Sequence, residues 1–396
     1  MRRLLRQSGA FPIGLDFGAA GARLLQLGKS KGGYRLIAAA MAELDNSAAQ
    51  LNEDARFRTL LDTIRRRVES SGFSGRKCVI SVQDSLLRVK SIRQPVMPSG
   101  DAEKAIRLEA SDRLGFGDGT DSEIGWIRAG EVRQGEDVRE ELILVGAERN
   151  KLELIVDGVA ATGLHPIAVE PGFLATARCF ARDLRRASDT DVIRFVVDIG
   201  YLSTCVSILR GTDVVFYKRV EIGGRSMDAA AAERLRLDKK TIAELRRQRM
   251  DANFRGEQPK DDRVHRALYT AIRPSLEELA HEVSLCLRYH SVSFCGQRPD
   301  KIVVVGGDAS EPGLVEALYE TLRVPVEIGC PLEGVDLASA PSVIDQHRSL
   351  SAWTVATGLC LRNDASLIPT FERPDTAGRI LARKRTTDKP AQKGAA

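Results

Sequence analysis

The chain has 396 residues, 43% of them hydrophobic and 5% aromatic, with 59 Lys and Arg against 54 Asp and Glu for a net charge of +5. That length suits two domains or one duplicated fold; the small, interleaved charge and few aromatics argue against a nucleic-acid binder. No apolar run reaches the roughly 18–20 residues that span a bilayer, and Met1–Gly9 lacks the apolar core of a secretory leader, so a cytoplasmic protein with reduced, scattered cysteines is expected.

In chain order, the first signal is IGLDFGAAGARLLQL, Ile13 to Leu27. An apolar strand closes on Asp16 and Gly18, and a second strand runs from Leu24. Tyr34–Ala38 is predicted to pair with it across the glycine-rich turn Gly28–Gly33. The GKS inside that turn imitates a P-loop, but Arg23 occupies the required upstream glycine position, so a hairpin turn is the reading. Asp54–Ser71 has helical apolar spacing, and Lys77–Val82 reads as a buried strand.

From Ser91 the composition shifts. Pro95 and Pro98 precede an amphipathic helix, Asp101–Leu114, then strands at Ile124–Arg128 and Glu141–Val145 and a helix at Lys151–Thr162. These read as a small inserted α+β module over 91–162. His165–Val169 and Phe173–Leu184 return to the main fold as strand and helix.

The stretch FVVDIGYLSTCVSIL, Phe195 to Leu209, then repeats the opening grammar: Asp198 corresponds to Asp16 and Gly200 to Gly18, with Ser203 and Thr204 leading into the second strand. An acid, a glycine and hydroxyls at a strand hairpin suit a phosphate grip, with the carboxylate holding a hydrated Mg²⁺. A third strand at Val214–Tyr217, helices at Arg225–Arg234, Asp238–Met250 and Val264–Tyr289, and a polar loop at Asp251–Asp262 follow. The strand Lys301–Val305 runs into Gly306–Gly307, then come a helix at Leu314–Leu322, a strand at Val324–Ile328 and a last helix at Ser351–Cys360. Beyond Ile368 periodicity fades into a tail bearing Arg379, Arg383, Lys384, Arg385, Lys389 and Lys393 against Asp388.

Two acidic hairpins and a late strand–diglycine–helix junction resemble the actin-like ATPase fold, a duplicated ribonuclease H-like α/β fold. GLDFG at 14–18, PSGDAEKAIRLEASDRL at 98–114, GLHPIAVEP at 163–171, VDIG at 197–200, IGG at 222–224 and VGG at 305–307 narrow the likeness to the PilM family of type IV pilus assembly, related to FtsA. The resemblance implies a first actin-like domain (12–90, 163–190 and 345–365), the 91–162 insertion, a second domain (191–344) with a helical nucleotide-contacting subdomain near 225–298, and a basic disordered tail (366–396). It implies ATP and Mg²⁺ between the domains, with Asp16 and Asp198 acting through metal-bound water. Gly18, Gly200, Ser203 and Thr204 would grip the phosphates, Gly306 and Gly307 would admit the adenosine, Glu244 and Arg247 would lie near ribose or base, and Ala19, Arg23, Gly223 and Gly224 would complete the nucleotide-binding set.

The chain departs from the family at Ala19, Ala20, Gly21 and Ala22, where hydroxyls and a lysine are usual, and at Asp308 in place of a third glycine. ATP binding with at most weak hydrolysis is therefore expected. The implied function is a scaffold at the inner membrane that docks the cytoplasmic N-terminal peptide of a PilN-like single-pass membrane protein in a groove between the module and the first domain, with a homo-oligomer as a further partner. Two alternatives stand beside it. One is a small-molecule kinase of the same fold with Glu170 or Asp198 as base; the other is an FtsA-like membrane filament, for which Ala377–Thr387 offers only Ile380 and Leu381.

Overall fold

The computed structural model describes residues 9–19, 21–44, 52–97, 99–117, 119–134, 137–182, 184, 189, 191–257, 262–293, 298–364, 367 and 371–372. The acidic opening is a three-stranded antiparallel meander, β1 (Ile13–Gly18), β2 (Gly21–Ser30) and β3 (Gly33–Glu43), longer than alternation alone predicts. GKS forms the end of β2, with Gly28, Lys29 and Ser30 paired to Arg35, Tyr34 and Gly33, so the turn expected over Gly28–Gly33 shrinks to Lys31–Gly32 and the P-loop stays rejected. Helix α1 (Glu53–Ser70) starts where the Asn52 side chain accepts the Ala55 N–H, and buries Leu60, Ile64 and Val68 at helical spacing. Strand β4 (Lys77–Val82) then runs parallel to β1.

The inserted region begins earlier than its composition suggests, with β5 (Arg88–Pro95), a strand the sequence reading missed. Its alternation is masked by Arg88, Lys90 and Arg93 on an edge. Helix α2 (Ser99–Arg113), β6 (Ser122–Gln134) and β7 (Asp137–Glu148) complete a three-stranded sheet of order β5-β7-β6. Ile106, Ala110, Leu114 and Phe116 pack α2 and its exit loop against Trp126, Leu142 and Leu144 on one face of that sheet. Helix α3 (Arg149–Ala161) belongs elsewhere: Ile155 and Val159 share a core with Ile13, Leu15, Leu60 and Ile64. The reading that closes the insertion with this helix is corrected on that ground.

Strand β8 (His165–Pro171) pairs with β4 and leads into α4 (Gly172–Ala181). The meander then recurs as β9 (Ile193–Ile199), β10 (Thr204–Arg210) and β11 (Asp213–Val220). Helices α5 (Gly224–Leu235), α6 (Lys239–Phe254) and α7 (Asp262–Ser293) follow, so the loop expected from Asp251 starts only after Phe254. Strand β12 (Ile302–Val305) pairs in parallel with β9, followed by α8 (Leu314–Leu322), β13 (Val326–Ile328), a short β14 (Val335–Asp336) and α9 (Thr354–Cys360).

Sheet order exposes the duplication. The first sheet reads β14-β3-β2-β1-β4-β8 and the second β11-β10-β9-β12-β13, so an antiparallel meander followed by two parallel strands occurs twice. Between the sheets, α9 packs on β1 and α4 on the second sheet. The approach is close enough that a Cβ on Gly14 would lie 2.0 Å from the Ala356 carbonyl oxygen, and one on Gly358 would lie 1.8 Å from that of Ala175.

The second face of the module's sheet is also covered. Ile127, Ala129, Ile143 and Val145 share a core with α4 and with Val196, Cys205 and Val303 of the second sheet. Tyr289 of α7 adds a hydrogen bond to Glu141 at 2.7 Å. The module is thus wedged against the second sheet. Phe371 and Glu372, placed by the sequence in a disordered tail, instead sit on β6, and residues 373–396 lie outside the described residues.

Candidate functional site

The two acidic turns face one cleft of about 990 Å³ between the sheets. In the first, Asp16 stands opposite Arg23, and Gly18 opposite Gly21. Gly21 has a φ of +156°, and a Cβ there would lie 2.2 Å from the Ala42 carbonyl oxygen, so this tight return requires glycine. Ser81, at the end of β4, donates to Asp16 at 2.9 Å and accepts the Phe17 N–H at 3.0 Å, fixing the carboxylate.

In the second turn, Asp198 closes β9 opposite Cys205, and the Gly200 N–H donates to the Ser203 carbonyl at 3.0 Å. After β12, Gly306 turns with φ +100° directly against Asp198: a Cβ would meet the Ile199 oxygen at 2.3 Å and an Asp198 carboxylate oxygen at 2.5 Å. Gly307 has open space in front of it. Asp16, Gly18, Ala19, Arg23, Asp198, Gly200, Ser203, Gly306, Gly307 and Arg247 all line the cleft.

Four residues of the predicted set do not line it. Thr204 is fully buried and donates its hydroxyl to the Ile222 carbonyl at 2.7 Å, so it braces the turn instead of facing the opening. Gly223 and Gly224 allow close packing: a Cβ on Gly223 would lie 2.5 Å from the Gly200 oxygen, and one on Gly224 would lie 2.6 Å from the Asp308 carboxylate. The Gly224 and Arg225 N–H groups already donate to the Gly200 and Tyr201 carbonyls at 3.1 and 2.7 Å, which spends the start of α5 on the turn. Glu244 is exposed on α6, outside the cleft lining.

A third acid went unread in the sequence. Asp84, two residues past β4, joins Asp16 and Asp198 in the cleft lining and accepts a hydrogen bond from the Cys205 thiol at 3.2 Å. Its signal was an acid just beyond a buried strand. Burial pushes the Asp198 carboxyl up to about 7, with the Asp84 and Asp16 charges adding to the shift and Arg23 opposing it. Burial also raises Asp16, against the pull of Arg23 and Ser81. Asp84 is raised by burial too, moderated by the Cys205 thiol and Arg219.

Three carboxylates that resist ionisation together favour a cation among them. The described residues contain no cluster of three acids, histidines or cysteines close enough to ligate a metal directly. Asp16, Asp84 and Asp198 are the residues that could hold a hydrated cation through its waters.

The second unread feature is an ion network at the adenosine end of the predicted site. Arg246, almost fully buried on α6, donates to Asp228 at 2.9 Å, Asp308 at 2.8 Å and Glu311 at 2.9 Å, and to the Gly224 carbonyl at 3.1 Å. Arg249 adds a bond to Glu311 at 3.1 Å. Asp308 is therefore neutralised by Arg246 and ties the diglycine turn to the helical subdomain. Glu170, one of the two bases weighed for a kinase, is buried between Arg178 and Arg362 and does not line the cleft.

A family model described as type IV pilus assembly protein PilM matches residues 14–364. Among solved structures, the PilM–PilN type IV pilus biogenesis complex superposes with a TM-score of 0.71 at 23% identity, over 90% of this chain and 98% of that one. MreB 5 of Spiroplasma citri bound to AMPPNP gives 0.49 at 12% identity, over 90% and 96%. Ethanolamine utilization protein EutJ from Carboxydothermus hydrogenoformans gives 0.47 at 16%, over 89% of each chain. The fold is the actin-like ATPase fold.

Proposed function

We propose, for a chain that belongs to the PilM family of type IV pilus assembly proteins, that it is a nucleotide-binding scaffold which docks a PilN-like membrane protein. The observation that carries the nucleotide reading is the convergence of Asp16, Asp198 and the Gly306–Gly307 turn on one cleft. In that reading Asp16 and Asp198 hold Mg²⁺ through its waters. The backbone at Gly18, Ala19 and Gly200, the Ser203 hydroxyl and the Arg23 guanidinium face the phosphates, and Gly307 leaves room for the nucleoside beside Arg247. The metal would supply charge neutralisation between acids and phosphates.

Calorimetric titration of ATP–Mg²⁺ into wild type and Asp198→Ala tests this reading. Heat in the first and at least tenfold weaker binding in the second is expected, on the scale of a lost charge-assisted contact. Equal titrations end the proposal. Turnover is expected to stay below roughly 1 s⁻¹, the low end of enzyme rates, because Ala19, Gly21 and Ala22 bring no side-chain donor to the phosphates. The kinase alternative loses Glu170 to its arginine pair.

Partner docking rests on the family and on the module. No helix among the described residues is long and apolar enough to cross a membrane, so association with the inner membrane through a partner suits the scaffold reading. The edge of β5, which no described strand pairs, borders a cleft of about 630 Å³, walled by Leu87–Lys90, the end of α2 at Asp112–Gly115 and Tyr217–Arg219 of β11. An extended peptide added to that edge would gain backbone hydrogen bonds and side-chain pockets. A photo-crosslinking residue at Lys90 is expected to capture the cytoplasmic N-terminal peptide of the PilN-like protein, and one at the exposed Leu154 of α3 is not. Capture at Leu154 alone would move the docking surface to the first domain.

A further inference from the structure

The module's sheet has two edges, β5 and β6, and the β6 edge already carries a bridged segment. Trp126 and Glu372 exchange both backbone hydrogen bonds, at 3.0 and 2.9 Å, in an antiparallel bridge. The side chains extend the match. The Trp126 indole N–H donates to Glu372 Oε2 at 2.9 Å, while the Arg128 guanidinium reaches Oε1 at 2.6 Å and Oε2 at 3.3 Å. Arg128 is itself held by Glu140 on β7. Beside them Gly125 leaves room for an aromatic ring, since a Cβ there would lie 2.4 Å from Cζ of Phe371. The ring continues inward onto the core shared by the module, α4 and the second sheet.

Every one of these contacts is made by two consecutive residues, the second of them bridged to β6. A bare edge strand would accept any backbone. Here a missing Cβ reads an aromatic, and a forked guanidinium with an indole N–H reads a carboxylate one residue later. We propose that the outer edge of β6, with Gly125, Trp126 and Arg128, is a recognition socket for an extended aromatic–glutamate segment, which the chain's own Phe371–Glu372 fills and which the same segment of a second copy fills by exchange. The occupant is fixed by charge and shape complementarity on a strand edge. The socket is on the opposite edge of the sheet from β5 and is independent of the docking and nucleotide readings.

The test uses the full chain with Phe371→Ala and Glu372→Ala together, and a synthetic peptide of residues 365–377 as probe. Release of the native segment should shift Trp126 emission toward that of a solvated indole, and added peptide should restore it. The peptide should bind the double variant about tenfold or more tighter than wild type, where the tethered segment competes at an effective concentration of order mM. A peptide carrying Glu372→Ala should lose that advantage, and Arg128→Met in the double variant should abolish it. At high concentration the released variant's socket should also take the segment of added wild-type chain, read as mixed dimers by light scattering. Solvated Trp126 without peptide binding overturns the proposal, as does unchanged emission in the double variant. If the double variant unfolds, Glu372→Gln, which keeps shape and loses charge, is read by peptide binding alone: the wild-type peptide should bind it more tightly than it binds wild type, and equal binding overturns the proposal.

Discussion

At the scale of single residues, Asp198 and Arg246 are two solutions to burying charge. Among the described residues Asp198 makes no ion pair, and its carboxyl is pushed up to about 7 by burial and by Asp84 and Asp16. Its folded value therefore lies above its unfolded one. The folded state holds a proton that the unfolded state has lost between about pH 4 and 7, and the stabilisation that proton gives disappears as pH rises through 7. Metal-free protein is thus expected to melt at higher temperature at pH 6 than at pH 8, and Asp198→Asn should flatten that difference and raise the melting temperature at pH 8. A melting temperature that rises with pH in wild type would contradict this account.

Arg246 is the opposite case, with direct bonds to three acids. Arg246→Met leaves Asp228, Asp308 and Glu311 buried without their cation. Breaking a buried pair costs about 3–5 kcal/mol, which urea denaturation at neutral pH would register. Glu311 retains Arg249, which places the expected loss at the lower end of that range.

At the scale of elements, the close approach of α9 to β1 decides what the fold tolerates. Gly14 occurs where the β1 and α9 backbones nearly touch, and Gly358 where α9 nearly touches α4; a Cβ on Gly14 would lie 2.0 Å from a carbonyl oxygen. Gly14→Ala must push α9 outward, and overpacking of this kind costs about 1–3 kcal/mol. The helix enters through Ser349–Thr354, which lines the cleft between the sheets, and the Ser351 hydroxyl donates to the Gly306 carbonyl at 2.9 Å. The same substitution is therefore expected to weaken ATP binding by calorimetry as well as lower the denaturation midpoint. A loss of stability with unchanged binding would show that the two ends of α9 are uncoupled.

At the scale of the whole molecule, the inserted module is not a detachable unit. One face of its sheet shares a core with α4 and the second sheet, and the helix that follows it belongs to the first-domain core. Excising 93–160 takes Ile127, Ile143 and Val145 from one core and Ile155 and Val159 from the other. The shortened chain is expected to expose apolar surface, read as increased binding of a hydrophobic dye and a lower melting temperature. A deletion that leaves both unchanged would restore the module to independence. Point changes at Lys90 or Glu372 are the finer probes of its two edges.

The sequence by itself determined the duplicated acidic hairpins, the diglycine junction and the order of most strands and helices, because alternation, helical spacing and glycine turns are encoded within a few residues. From them Asp16, Asp198 and Gly306 were legible as members of one group. Which neighbours face the cleft was decided only by the tertiary structure. Ser203 lines it and Thr204 does not, because the Thr204 hydroxyl is claimed by a carbonyl on another segment. On α6 both Arg246 and Arg247 line the cleft, but Arg246 is buried among acids and Arg247 is exposed, a rotation that helical periodicity leaves free until the acids at Asp308 and Glu311 arrive from far along the chain. The convergence of Asp84 with Asp16 and Asp198, the packing of α3 on the core of the first sheet and the seat of Phe371–Glu372 on β6 were illegible for the same reason. Each depends on partners distant in sequence, and burial, charge and backbone pairing act on distance in space.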